Sequence, residues 1–183
     1  MSTQFTFIKP QYITTNALVY LGTPDGRDWK TIIEAPPAYE VSFSERLMQL
    51  RQSFSDLSTK VLLKGRYHGM TRSSAVIEGF NGQASAKRRG KFKCGWSFVD
   101  FNSNEFSWYL STWGFWWELR DVSDKVVAKF VTKKKSHHLM GVLTVYENDM
   151  PESMLMLVLL TCTIVHNNVF NDSAPVVSTV VVA

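Results

Sequence analysis

The sequence predicts an antiparallel, closed β-barrel of about 10–12 strands wrapped around one buried hydrophobic helix near the C-terminus. Three observations carry this reading. First, 183 residues with 45% hydrophobic and 13% aromatic side chains suffice for a sizeable core in one domain, 1–183, with no disulfide or metal staple. Charged residues make up 20%, a balance foreign to disordered and collagen-like chains. Second, most of the chain reads as short β-type segments punctuated by Gly, Pro, Asn and Asp. Third, residues 154–165 form a run unlike anything before it, apolar on every side.

The elements follow in order. Gln4–Ile8 alternates around Phe5 and Phe7, and Ala17–Leu21 is a short apolar run. Thr23-Pro-Asp-Gly26 makes a turn, because proline presets one backbone angle and glycine accepts the left-handed one. Trp29–Ile33 and Ala38–Phe43 are read as strands, and Pro36-Pro37 break any ladder between them. A helix is expected next. Ser42 and Glu45 match a capping box, and Leu47, Leu50, Phe54 and Leu57 recur at helical spacing. Strands then resume over Lys60–Lys64, Ala75–Phe80, Lys91–Phe101, Phe106–Ser111, Phe115–Arg120, Lys125–Val131 and Leu139–Tyr146. Ser85 and Gly90, among small neighbours, place Lys87–Lys93 in a loop that leads into a strand.

Pro151–Asn168 is the C-terminal helix. Asp149 can cap it, Pro151 suits its first turn, and Asn167-Asn168 suits its stop. A helix apolar all round must be enclosed by protein or by lipid. Twelve apolar residues, Met154–Val165, rise about 18 Å against about 30 Å of hydrocarbon, so protein encloses it. Antiparallel strands around one such helix make a closed barrel.

Four segments carry a family resemblance: Phe106-Ser-Trp-Tyr-Leu110 with Phe115-Trp-Trp-Glu-Leu119, Lys125-Val-Val-Ala-Lys-Phe130, Gly141-Val-Leu-Thr-Val-Tyr146, and the apolar helix. Together they resemble the tubby C-terminal-like superfamily, which includes LURP-one-related proteins and phospholipid scramblases, and most of all its small fungal members. The likeness covers mainly 95–166. Residues 45–89 match poorly and read as an insertion or a divergent edge. The resemblance implies a barrel of about twelve strands around a hydrophobic helix, and binding of phosphoinositides through basic residues. The family's basic pair does not align onto particular positions here, so no site is carried over.

The formal charge of +4 is unevenly spread. Residues 60–93 hold nine basic residues and one acid, a charge of +8, which leaves −4 on the remainder. An asymmetry of this kind points to an acidic partner. The run Lys87-Arg-Arg-Gly-Lys-Phe-Lys93 is the leading binding candidate, through Lys87, Arg88, Arg89, Lys91 and Lys93. Lys133, Lys134 and Lys135 form a second basic turn, which strengthens the first if both lie on one rim. The expected function is a non-enzymatic binding module that associates peripherally with anionic phospholipid or phosphoinositide. A protein-interaction domain with no lipid ligand is the alternative, and a carbohydrate-binding or carbohydrate-active β-protein using the tryptophans is a further one. Nucleic acid is not favoured. A scramblase-like role is disfavoured for want of a membrane helix or an acidic calcium loop.

Other residues read blandly. Cys94 and Cys162 lack zinc or disulfide spacing, and no cofactor or catalytic motif occurs. His137-His138 beside three lysines is a polar turn rather than a metal site. Asp25, Asp28, Glu118 and Asp121 make a paired-carboxylate site only if the fold gathers them. Trp108 and Trp116 read as core, one of Trp116 and Trp117 must face outward, and Trp113-Gly114 reads as exposed. The first ten residues lack a secretory signal pattern, so the cytoplasm is the expected compartment. The valine-rich segment 171–183 is expected as a tail or edge strand.

Overall fold

Alternation of apolar and polar side chains along most of the chain builds one sheet that closes on itself. In the computed structural model, which describes residues 2–10, 16–23, 33–44, 46–54, 58–68, 72–89, 95–111, 116–133, 138–147 and 149–171, twelve strands precede one helix. They are β1 (Thr3–Ile8), β2 (Ala17–Leu21), β3 (Tyr39–Ser44), β4 (Leu47–Ser53), β5 (Thr59–His68) and β6 (Ser74–Gly79). β7 (Gly82–Arg88), β8 (Gly95–Val99), β9 (Glu105–Leu110), β10 (Trp116–Asp121), β11 (Val126–Thr132) and β12 (Leu139–Val145) complete the wall. The helix α1 spans Glu152–Asn171.

Each strand pairs antiparallel with its neighbours in sequence, and β1 pairs with β12 to close the barrel. Closure leaves no unpaired edge. At the seam Phe5 lies opposite Leu143 and Phe7 opposite Gly141, and the register shifts only after Phe7. A side chain at Gly141 would strike the Val131 carbonyl and the Phe130 ring, so glycine is what lets that ring fill the seam.

The core is the barrel's interior. Phe7, Leu50, Leu63, Ile77, Trp108 and Phe130 point inward from six different strands and are fully buried. Inside them runs α1, whose residues Met156–Val165 are excluded from solvent on every side. Among the described residues no helix is long and apolar enough to cross a membrane. Trp108 donates its indole N–H to the Thr161 hydroxyl at 3.0 Å, which ties wall to helix. Phe130 meets the His166 ring edge-on at 5.8 Å near the other end of the buried segment.

Three expectations need correction. The helix expected near residue 50 is strand β4, because Met48 and Leu50 face the core two residues apart while Leu47 stands 46% exposed. Period two wins there, and Ser44 opposite Leu47 makes the entry a tight hairpin. Residues 45–89 are no insertion: β4, β5, β6 and β7 supply a third of the wall. Lys87 and Arg88 lie in β7, not in a loop; Ala84 and Ala86 face inward there and are too small to announce a strand. The expected Thr23–Gly26 turn falls almost wholly outside the described residues, as do Trp29–Ile32, Cys94, Trp113-Gly114 and the segment 172–183. Ile33, the last residue of the expected Trp29–Ile33 strand, opens a short 3₁₀ turn.

Candidate functional site: the basic end of the barrel

A meander has a simple parity: odd strands finish and even strands start at the same end of the barrel. The β7–β8 and β11–β12 connections therefore open at one end, and the ends of both basic turns share that rim. Arg89 leads out of β7 and Lys133 out of β11. Four strand steps of about 4.8 Å separate them, roughly 20 Å along the wall. Lys9, Arg46 and Arg72 sit at the same end, after β1 and before β4 and β6 respectively. Among the described residues that end carries no carboxylate. Lys91, Lys93, Lys134 and Lys135 lie outside the described residues.

The contiguous run divides once it is folded. Lys87 pairs with Ser74 and Ser97 and projects from the outer wall. Arg88, one residue on, takes the opposite register above Trp96 and faces the barrel mouth. Arg89 leaves the strand and donates from Nη1 to the Tyr109 hydroxyl at 2.6 Å, with its guanidinium 5.3 Å from that ring's centre. Three neighbours in sequence thus serve three directions.

An open groove of about 520 Å³ lies on the outer wall of β4–β7, below the same rim. Lys64, Arg66 and His68 project into it from alternate positions of β5. Leu47 and Val76 flank Arg66 on the neighbouring strands, so no carboxylate stands directly opposite that guanidinium. Glu78 faces Lys64 and is touched by Gln83. His68, Ser74 and Lys87 form one cross-strand row at the upper edge of the groove. Donors outnumber acceptors there, which suits a ligand with several anionic oxygens. Sequence reasoning counted Arg66 and Arg72 in the basic segment 60–93 but singled out neither them nor Lys9, Arg46 or His68 as site residues, because isolated cations carry no local signal. Strand parity assigns Lys9, Arg46, His68 and Arg72 to one end, and Arg66 stands on the wall just below it.

The neighbouring wall, β9–β11, uses its charges structurally. Arg120 donates to Glu118 at 2.7 Å and to both Asp124 oxygens at 3.0 Å, and it lies 5.6 Å from the Tyr109 ring centre. The Arg120 bond, helped by the Trp116 indole N–H at 3.2 Å, holds the Glu118 carboxyl below its usual range. Asp121 accepts from the Ser123 hydroxyl and from the Ser123 and Lys125 amides, which draws its pKa down and fixes the turn. Both carboxylates are engaged, and Asp25 and Asp28 lie outside the described residues. Trp96, Trp108 and Trp117 are buried, while Trp116, expected in the core, faces outward under the Lys129 ammonium at 4.5 Å, because Trp117 takes the inward register of β10.

No family model, curated protein or solved structure matches the chain. The barrel and the chemistry of its basic end carry the functional reading alone.

Proposed function

We propose that the protein is a non-enzymatic, peripheral binding module whose basic end engages anionic phospholipid headgroups, phosphoinositides among them, on the cytoplasmic side of a membrane. One observation carries the reading: two basic turns far apart in sequence open at a single end that is free of carboxylates among the described residues. Each Lys or Arg near an anionic surface contributes about 1 kcal/mol, so several on one rim suffice for reversible attachment. The groove beside Arg66 and His68 offers a place for a phosphorylated headgroup, with Lys87 across Ser74 as a further donor. Membership of the tubby-like superfamily, where basic residues hold phosphoinositides, belongs to the same proposal.

Vesicle flotation tests it. The protein should float with vesicles containing phosphatidylserine or phosphorylated phosphatidylinositol and not with neutral phosphatidylcholine. Attachment should weaken at least tenfold in the Lys87→Ala, Arg88→Ala, Arg89→Ala variant, and in high salt. Binding that ignores anionic lipid content, or survives the triple substitution, overturns the proposal.

A protein-interaction reading has its own support, at the opposite end of the barrel.

A further inference from the structure

The strand parity that gathers the cations at one end sends acids to the other. Glu34, Glu105, Asp149 and Glu152 lie at or beside the end where even strands finish and α1 begins, together with Asp121 and Asp124, already held by Ser123 and Arg120, and the Lys125–Glu147 ion pair. Large apolar side chains stand exposed on the same end. Val122 caps the β10–β11 turn at 83% exposure, Leu21 closes β2 at 66%, and Phe80 and Tyr146 follow on other connections. These tips offer apolar area among the carboxylates that a docked partner would cover.

We propose that this acidic end docks on the basic end of a second copy of the same chain, so that barrels associate head to tail. The occupant is identified by complementarity on the molecule itself. Lys9, Arg46, Arg72 and Lys133 meet the carboxylates, and their aliphatic stems cover the apolar tips. Size agrees as well. Twelve strands about 4.8 Å apart and tilted by about 40° make a wall of about 12 Å radius. With side chains, each end presents about 800 Å², the share one partner brings to a standard specific interface. Because the two surfaces differ, the contact is heterologous and does not close. Association therefore grows with concentration instead of stopping at a dimer.

The inference is independent of the lipid reading, although both use the basic end. Sedimentation velocity on the full chain at about 20 mM salt should show mass rising with concentration, and at about 0.5 M salt a monomer, since added salt shortens the screening length. Two half-dead variants decide the geometry. Arg46→Gln, Arg72→Gln, Lys133→Gln removes one surface, and Glu34→Gln, Glu105→Gln, Asp149→Asn removes the other. Each alone should be monomeric at low salt. Mixed, they retain one wild-type surface each and should form a heterodimer and nothing larger. If a triple variant does not fold, as judged by its thermal melt, Arg72→Gln mixed with Glu105→Gln repeats the test. A wild-type monomer at low salt, a mixture that stays apart, or self-association that survives either variant overturns the proposal. The acidic-end variant keeps its cations, so its vesicle flotation separates a failed interface from a failed lipid reading.

Discussion

Thr161 sits mid-helix inside the barrel, a position where a hydroxyl must find partners or cost stability. It finds two: it accepts from the Trp108 indole at 3.0 Å and donates to the Val158 carbonyl at 3.3 Å. Thr161→Val keeps the shape and strands the indole N–H, so we expect a loss of about 1–3 kcal/mol in urea unfolding. An unchanged midpoint would show that the bond is dispensable. His166, near the far end of the same helix, is held neutral. Burial, with Lys9 nearby, lowers its pKa to about 3. The unfolded chain binds a proton there below about pH 6.5 and the folded protein does not, so acid favours unfolding. This contribution is complete above that pH and declines as pH falls toward 3, by about 1.4 kcal/mol per unit. Melts between pH 7 and pH 5 should show wild type losing more stability than His166→Phe. Parallel losses would mean that His166 does not titrate as the burial requires.

At the scale of the element, α1 is the barrel's filling. Leu157 has no exposed surface, and Leu157→Asp places an unpaired charge where strands surround it on all sides. We expect no cooperatively melting protein from that variant; a soluble, cooperative one would put the helix elsewhere. This element was legible in the sequence, because an all-round apolar helix has few places to go, except for its end, which lies at Asn171 rather than at Asn167-Asn168. Strands with large inward residues were legible too: Phe5 and Phe7 in β1, and Leu143 and Val145 in β12, announce themselves by alternation. β7 was not. Ala75 and Ala86 face each other between the larger Tyr67 and Phe98, so the packing there demands small side chains and erases the hydrophobic signal. β4 misled in the opposite way, since Leu47 and Phe54 are apolar yet exposed and complete a false helical stripe. For the site, sequence reasoning named the basic run but not its division. The directions of Lys87, Arg88 and Arg89 follow from where β7 ends, and three successive residue types do not encode that.

At the scale of the molecule, the barrel has two unlike ends, basic and acidic, and a helix running between them. The basic rim draws on five separate connections, so replacing any single cation by alanine should weaken vesicle binding only about fivefold, whereas replacements spread around the rim should compound. A titration of single and combined variants at Arg46, Arg72 and Lys133 measures that. The same architecture governs how the chain is made. β1 waits for β12, with Gln4 reaching Thr144 across 140 positions, and the helix that fills the barrel leaves the ribosome after all twelve described strands. Translation at about 5–20 residues per second gives the early strands several seconds with exposed apolar faces and no core to cover. The nascent chain must therefore be shielded until α1 arrives, and a message cut short before residue 152 yields strands with nothing to close around.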